Sequence, residues 1–83
     1  MLSIKVLGPG CENCHNVELA AKNAVANMRV DAEIIKITDY EEIKTYRVLA
    51  TPGLVIDDKL VAAGRVPTDA EVMTWIADAL MEV

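Results

Sequence analysis

The sequence predicts an α/β fold in which helices cover both faces of a four-stranded mixed sheet. Short runs rich in Val, Ile and Leu alternate with longer segments whose apolar residues recur every three or four positions. Breakers containing glycine and proline, at 8–10 and 51–53, separate these segments. The resulting order is β-α-β-α-β-β-α, without repeats or low-complexity tracts. A chain of 83 residues has room for a single domain, over residues 1–83.

The first part of the chain predicts a strand-helix-strand unit. Leu2, Ile4 and Val6 fall on one face of a short strand. Residues 11–28 have the apolar spacing of an amphipathic helix, and residues 30–37 form a nearly continuous β-branched run, as expected of a strand covered on both faces. The two strands of such a unit pair in parallel. The buried stripe of the helix is predicted to contain Val17, Ala21, Ala24, Val25 and Met28, with Glu18, Lys22 and Asn23 on other faces.

The middle of the chain predicts a short helix and then a hairpin. The carboxylate of Asp39 can cap a helix of about two turns over residues 40–46. Two short apolar runs follow, at 54–56 and 60–63. The intervening Asp57-Asp58-Lys59 segment predicts a tight antiparallel connection, because Asp tolerates the positive φ that such a turn requires.

The last predicted element is a helix that ends at about Leu80. Thr68 is a good N-cap residue, and Glu71 stands three positions later, where its side chain completes a capping box. The residues predicted to form the buried stripe of this helix are Met73, Ile76, Ala77 and Leu80.

Composition and charge exclude several classes of function. The net charge of -5 gives a mostly negative surface, which repels nucleic acid and anionic membranes, so neither is expected as a partner. Residues 1–7 are far too short for the apolar core of a secretory signal, and no apolar run approaches a membrane span. We therefore expect a cytoplasmic protein, in a compartment where a cysteine pair is catalytic, sensory or metal-binding.

Cys11 and Cys14 are the candidate catalytic residues. They stand three positions apart at the predicted helix start, a spacing that brings the Cα atoms to about 5 to 6 Å and allows a disulfide to close. The unpaired N–H groups and the dipole of a helix start favour a thiolate. Cys11 is therefore predicted to be the nucleophile, and Cys14, one turn further in, the thiol that resolves a mixed disulfide.

Other interpretations of the same residues remain open. Two cysteines can simply be small buried hydrophobic residues. A zinc site has only Cys11, Cys14 and His15 as soft ligands, so a closed site needs a second chain. Residues 11–15 also read C-x-x-C-H, the attachment pattern of a c-type haem, although β-branched strands and the absence of an export signal argue against it. His15 is otherwise a partly exposed helix residue.

The ordered set of motifs resembles a known family. Thr51-Pro52-Gly53 precedes an apolar strand, and residues 64–67, Gly-Arg-Val-Pro, precede the last helix. With the glycine-bounded C-x-x-C turn, these segments are similar to those of the small redox-active disulfide proteins, which are thioredoxin-like and close in size to glutaredoxins. The similarity extends over almost the whole chain, so a thioredoxin-like fold is expected.

The resemblance carries further implications. It implies that Pro52 is cis and faces the disulfide, and that the backbone of Thr51 pairs with an extended segment of a partner, which makes both substrate-binding residues. Two departures from thioredoxins proper stand out. Gly10 occupies the position of a tryptophan, and Lys5 that of a buried carboxylate. Glu12, beside Cys11, opposes thiolate formation by like-charge repulsion.

The function expected from these features is thiol-disulfide exchange in electron transport. Cys11 and Cys14 would act on disulfide-containing proteins, and a separate thiol-disulfide reductase would restore the dithiol. Beyond the redox-active disulfide itself, no cofactor and no metal are required, and we expect a monomer. Two alternatives are a carrier that holds a soft metal with the same thiols and an interaction domain with little exchange activity.

Overall fold

A computed structural model describes residues 2–10 and 12–81. The elements follow the predicted order, which confirms the predicted fold class. Their bounds are β1 (Leu2–Leu7), α1 (Glu12–Met28), β2 (Ala32–Ile37), α2 (Tyr40–Thr45), β3 (Gly53–Ile56), β4 (Lys59–Ala63) and α3 (Asp69–Met81).

Within the described residues, the strands form one four-stranded sheet in the order β2-β1-β3-β4. β1 pairs in parallel with β2, and Ile4 lies opposite Ile34. β1 also pairs antiparallel with β3, which in turn pairs antiparallel with β4. The sheet is therefore mixed, with β1 and β3 at its centre and β2 and β4 at its edges.

The strand predicted over residues 30–37 is present but shorter, and its two faces are only partly covered. The strand begins only at Ala32, and all its residues are half-buried or exposed. As an edge strand, β2 has a single neighbour, and its β-branched side chains are divided between the two faces. Ile34 packs on the α1 side and Ile37 on the α2 side. The continuous apolar run of β2 therefore reflects an edge strand whose two faces are each partly covered, and not a strand at the centre of the sheet.

The helices lie on both faces of the sheet, because strand side chains alternate between faces. On one face, Ile4 and Val6 of β1 pack with residues of α1 and α3 in the larger core cluster. On the other face, Leu7 packs with Val55 and with Ile43 of α2. The end of β1 thus contributes to both cores within two residues, directly before the turn that leads to α1.

Two predicted helix faces need correction. Glu18, predicted to lie away from the core, is buried on α1. On α3 the fully buried residues are Val72 and Ile76, whereas Leu80, predicted to be buried, is 54% exposed. Apolar spacing alone leaves the rotation of a helix uncertain by about one residue step, and here packing of α3 against α1 and the sheet decides it.

The hairpin and the helix caps follow local sequence as predicted. Asp57 and Asp58 both have positive φ in the turn between β3 and β4. The side chain of Asp39 accepts a hydrogen bond from Glu41 N at 3.2 Å and caps α2. Thr68 Oγ1 accepts from Glu71 N at 3.1 Å, while Glu71 Oε1 accepts from Thr68 N at 3.1 Å, so the capping box of α3 is confirmed.

Candidate active site

The turn that follows β1 leads into the C-x-x-C segment of the sequence. Gly10 has φ +95°, a left-handed conformation that glycine adopts without strain. Cys11, the predicted nucleophile, lies outside the described residues. Glu12, predicted to oppose its ionisation, is exposed in the first turn of α1. The described part of the site is therefore built around Cys14.

Cys14 is buried at the start of α1, with 5% of its surface exposed. It faces Gly8 so closely that a Cβ placed on Gly8 would overlap Cys14 Sγ. The same Cβ position lies 3.9 Å from Cα of Pro52. Three segments that are separate in the sequence thus converge here: the end of β1, the first turn of α1 and the residues before β3.

The Thr51–Pro52 peptide bond is cis in this structure. Pro52 is buried and Thr51 half-buried, and the carbonyl oxygen of Pro52 accepts a hydrogen bond from Gly64 N at 2.8 Å. Among residues 2–10 and 12–81, the Thr51 backbone forms no hydrogen bond. The two predicted substrate-binding residues therefore lie in the segment that brings Pro52 to Gly8 and Cys14.

Apolar side chains are exposed beside Thr51. Leu49 is 99% exposed and Tyr40 62% exposed. Both line an open cavity of about 330 Å³ that reaches Ala50 and Thr51. A surface of this kind can receive side chains of an extended segment that pairs with the Thr51 backbone.

A second, smaller cavity of about 110 Å³ contains Cys14 and a charged residue that sequence reasoning missed. That residue is Glu18, one helical turn after Cys14 on the same face of α1. The spacing between them was a signal that could have found it. The walls of the cavity are completed by Val6, Gly8, Gly10, His15, Lys36 and Thr38.

The carboxylate of Glu18 is surrounded by cationic groups. Lys22 Nζ lies 3.5 Å from Oε2 and Lys36 Nζ lies 3.5 Å from Oε1. His15 Nδ1 is 3.7 Å from Oε1, although the His15 side chain itself is 63% exposed. Burial alone would raise the pKa of Glu18, but the charges of Lys22 and Lys36 outweigh it and hold the pKa below its ordinary value. Glu18 is thus a carboxylate at neutral pH.

Lys5 turns to the opposite face of the sheet from Cys14. Its Nζ donates a hydrogen bond to Tyr46 Oη at 2.7 Å and lies 3.5 Å from Oδ1 of Asp58. The bond to Tyr46, with a contribution from Asp58, raises the pKa of Lys5. Lys5 is therefore held away from the cysteine turn, and the charge near Cys14 comes from α1 and β2 instead.

Neither a cluster of metal ligands nor a membrane-spanning helix occurs in the described part of the chain. Over residues 2–10 and 12–81, no group of three or more His, Cys, Asp or Glu side chains is arranged to hold a metal ion. In the same part of the chain, the helices are too short or too polar to cross a bilayer.

Fold and site together define a thioredoxin-like α/β protein, with a cysteine in the first turn of the helix after β1 and a proline before β3 packed close to it. A family model described as thioredoxin domain matches residues 2–77. The chain belongs to the thioredoxin domain family.

Two curated relatives are named thioredoxin. The protein of Methanocaldococcus jannaschii is 39% identical over 72 residues, which cover 87% of this chain and 83% of the relative. That of Methanothermobacter thermautotrophicus is 38% identical over 72 residues, covering 87% of this chain and 94% of the relative.

Proposed function

We propose that this protein is a dithiol-disulfide oxidoreductase that exchanges the Cys11/Cys14 dithiol with disulfides of partner proteins. The observation that carries the proposal is the position of Cys14, buried in the first turn of α1 against Gly8, which Pro52 also approaches. Cys11 stands three positions earlier in the sequence, at the spacing a reversible disulfide requires. Membership in the thioredoxin domain family and relatives named thioredoxin support the same chemistry.

The proposed reaction proceeds in two exchanges. The Cys11 thiolate attacks one sulfur of the partner's disulfide, an S–S bond forms to Cys11, and the other partner sulfur leaves as a thiolate that takes up a proton. Cys14 then loses its proton and attacks the Cys11 sulfur. The Cys11–Cys14 disulfide forms and the second partner thiol is released. The partner gains two electrons and two protons. A separate thiol-disulfide reductase then supplies two electrons and two protons of its own to restore the Cys11/Cys14 dithiol.

Substrate docking is proposed along the segment before β3. The backbone of Thr51 would pair with an extended segment of the partner, next to buried Pro52. The cavity lined by Tyr40 and Leu49 would receive an apolar side chain of that segment. We further propose that the protein acts as a cytoplasmic monomer. It would need no bound cofactor, because the sulfur atoms themselves carry the electrons.

The roles of the two thiols can be tested with dithiobis(nitrobenzoic acid), a chromogenic disulfide. The reduced protein should release two equivalents of thionitrobenzoate, lose two hydrogens by mass spectrometry and retain no label. Cys14→Ser should release one equivalent and retain one nitrobenzoate group on Cys11, because nothing resolves the mixed disulfide. Cys11→Ser should react slowly, since Cys14 is buried.

The double variant Cys11→Ser/Cys14→Ser is the control for reaction at other groups. Label retained by the unmodified protein, or disulfide-linked dimers as its main oxidation product, would contradict the exchange mechanism. Metal analysis of the purified protein tests the soft-metal carrier. Stoichiometric metal bound through both thiols, with no release of thionitrobenzoate, would replace the exchange proposal by that alternative.

A further inference from the structure

Glu18 is unusual in its combination of burial and charge. It is the one buried residue with a charged side chain among residues 2–10 and 12–81. A carboxylate is costly to take out of water unless charged or hydrogen-bonding groups compensate it. Here Lys22 and Lys36 provide that compensation, and both lysine side chains are more than half exposed.

The position of Glu18 beside Cys14 gives this charge a chemical consequence. Residues four apart on a helix have Cβ atoms about 5 to 6 Å from each other, and both side chains face the same cavity. The other titratable side chains described there are cationic or become so on protonation: Lys36 of β2, and His15 and Lys22 of α1. The rest of the lining is uncharged, with Val6 of β1, Gly8 and Gly10 of the following turn, and Thr38 directly after β2.

We propose that Glu18 is a positioning residue that keeps Cys14 in its thiol form, so that the thiolate is confined to Cys11 until a mixed disulfide has formed. A second negative charge on Cys14 would face the Glu18 carboxylate across a small cavity, which disfavours ionisation of the thiol. Loss of the Glu18 charge would also leave Lys22 and Lys36 without their counter-ion, which favours the Cys14 thiolate. Both effects act in the same direction.

The role of Glu18 in turnover depends on the proposed exchange mechanism, but its effect on the titration of Cys14 does not. In Cys11→Ser protein, Cys14 is the single thiol of the chain, and its ionisation can be followed by the ultraviolet absorbance of the thiolate. Adding Glu18→Gln should lower the pKa of Cys14 by about one unit, a tenfold rise in thiolate at neutral pH. Glu18→Asp, which keeps the charge, should restore most of the original value.

Glu33→Gln is the matched control, because Glu33 is an exposed carboxylate on β2. It should leave the pKa of Cys14 unchanged.

A second test, with the opposite expected sign, replaces Lys36, which is exposed enough that its replacement does not endanger folding. Lys36→Gln should raise the pKa of Cys14, whereas Lys44→Gln, on the other face of the sheet, should not. An unchanged or raised pKa in Glu18→Gln, or a lowered pKa in Lys36→Gln, would overturn the proposal.

The turnover measurement follows resolution of a nitrobenzoate mixed disulfide on Cys11 in the two-cysteine protein. Glu18→Gln should speed resolution about threefold at neutral pH, because thiolate rises about tenfold while the nucleophilicity of a weaker base falls about threefold. Slower resolution would assign Glu18 to accepting the Cys14 proton and would overturn the proposal. A shifted titration without any resolution in either protein would contradict the exchange mechanism and leave the effect of Glu18 on Cys14 standing.

Discussion

Two glutamates, Glu18 in the second turn of α1 and Glu71 in the first turn of α3, have contrasting surroundings. In α3, Glu71 is partly exposed and accepts hydrogen bonds from Arg65 Nη1 at 3.0 Å and Nη2 at 2.6 Å. It also accepts a hydrogen bond from the backbone N of Thr68. In α1, Glu18 is buried and contacts Lys22 and Lys36 at 3.5 Å.

The two carboxylates are therefore expected to have different roles, Glu71 in stability and Glu18 in the ionisation of Cys14. Both glutamates have a lowered pKa, and Arg65 with the Thr68 backbone lowers that of Glu71 to about 2. The oxygens of Glu71 are committed to holding the start of α3 and the preceding loop. The charge of Glu18 instead stands in the cavity that contains Cys14. Changes around α1 should therefore alter thiol chemistry, and changes around α3 should alter only stability.

The largest effect is expected from Gly8→Ala. The added methyl group would overlap Cys14 Sγ, so the sulfur and the first turn of α1 must move. We expect stability to fall by about 1 to 3 kcal/mol, and misplacement of the thiol to slow the release of thionitrobenzoate by up to about a hundredfold. Urea unfolding and the thionitrobenzoate kinetics measure the two effects.

Gly10→Ala is the control for Gly8→Ala. Nothing lies near the position of a Cβ on Gly10, but its φ is +95°, so alanine there introduces backbone strain without displacing Cys14. Its cost should be about 1 to 2 kcal/mol, with a much smaller effect on thionitrobenzoate release than Gly8→Ala has. Equal slowing of that release in both variants would show that Gly8 is not specifically required for the placement of the sulfur.

An intermediate effect is expected at α3, from Glu71→Gln in acid. The folded-state pKa of Glu71, about 2, lies below its ordinary value of 4.5, so its ionised form stabilises the fold above about pH 4.5. This contribution is lost as the pH falls from about 4.5 to about 2. Glu71→Gln should therefore lower the urea midpoint at pH 7 and flatten its decrease over that acid range.

Thr68→Ala provides a companion at the same helix start. It removes the hydroxyl that accepts a hydrogen bond from Glu71 N and should cost about 1 kcal/mol of stability. Neither α3 variant should change the rate of thionitrobenzoate release at neutral pH. A reduced rate in Glu71→Gln with intact folding would contradict the proposed difference between Glu71, which acts on stability alone, and Glu18, which acts on the thiol.

The smallest effect is expected from Lys22→Gln. Lys22 pairs with Glu18 four residues earlier on α1, and such a pair stabilises a helix by about 0.3 to 0.5 kcal/mol at low salt. Lys36 keeps Glu18 compensated in the variant. The difference in urea midpoint should disappear at high salt. A loss well above 1 kcal/mol would mean that Lys22 alone compensates the buried carboxylate.

Much of the fold could be predicted because it depends on short-range patterns. The alternation of Leu2, Ile4 and Val6, the cap at Thr68 and the turn at Asp57 and Asp58 each reflect a preference of a few neighbouring residues. The spacing of the two cysteines was equally local. By contrast, Arg65 pairs with Glu71 and lies 5.9 Å from the ring centroid of Trp75, two contacts that no short-range pattern predicted.

Short-range patterns were sufficient to predict the order of strands and helices, their caps and turns, and the place of the cysteine pair in the sequence after β1. Tertiary structure alone decided which strand lies at an edge, which face of α3 is buried and which polar side chain enters the core. These features depend on the packing of segments distant in sequence. β1 pairs with β2 on one side and with β3 on the other, and only the assembled sheet provides the surfaces on which the helices pack. The same packing brings Pro52 to Gly8 and Cys14, and encloses the Glu18 carboxylate beside that thiol.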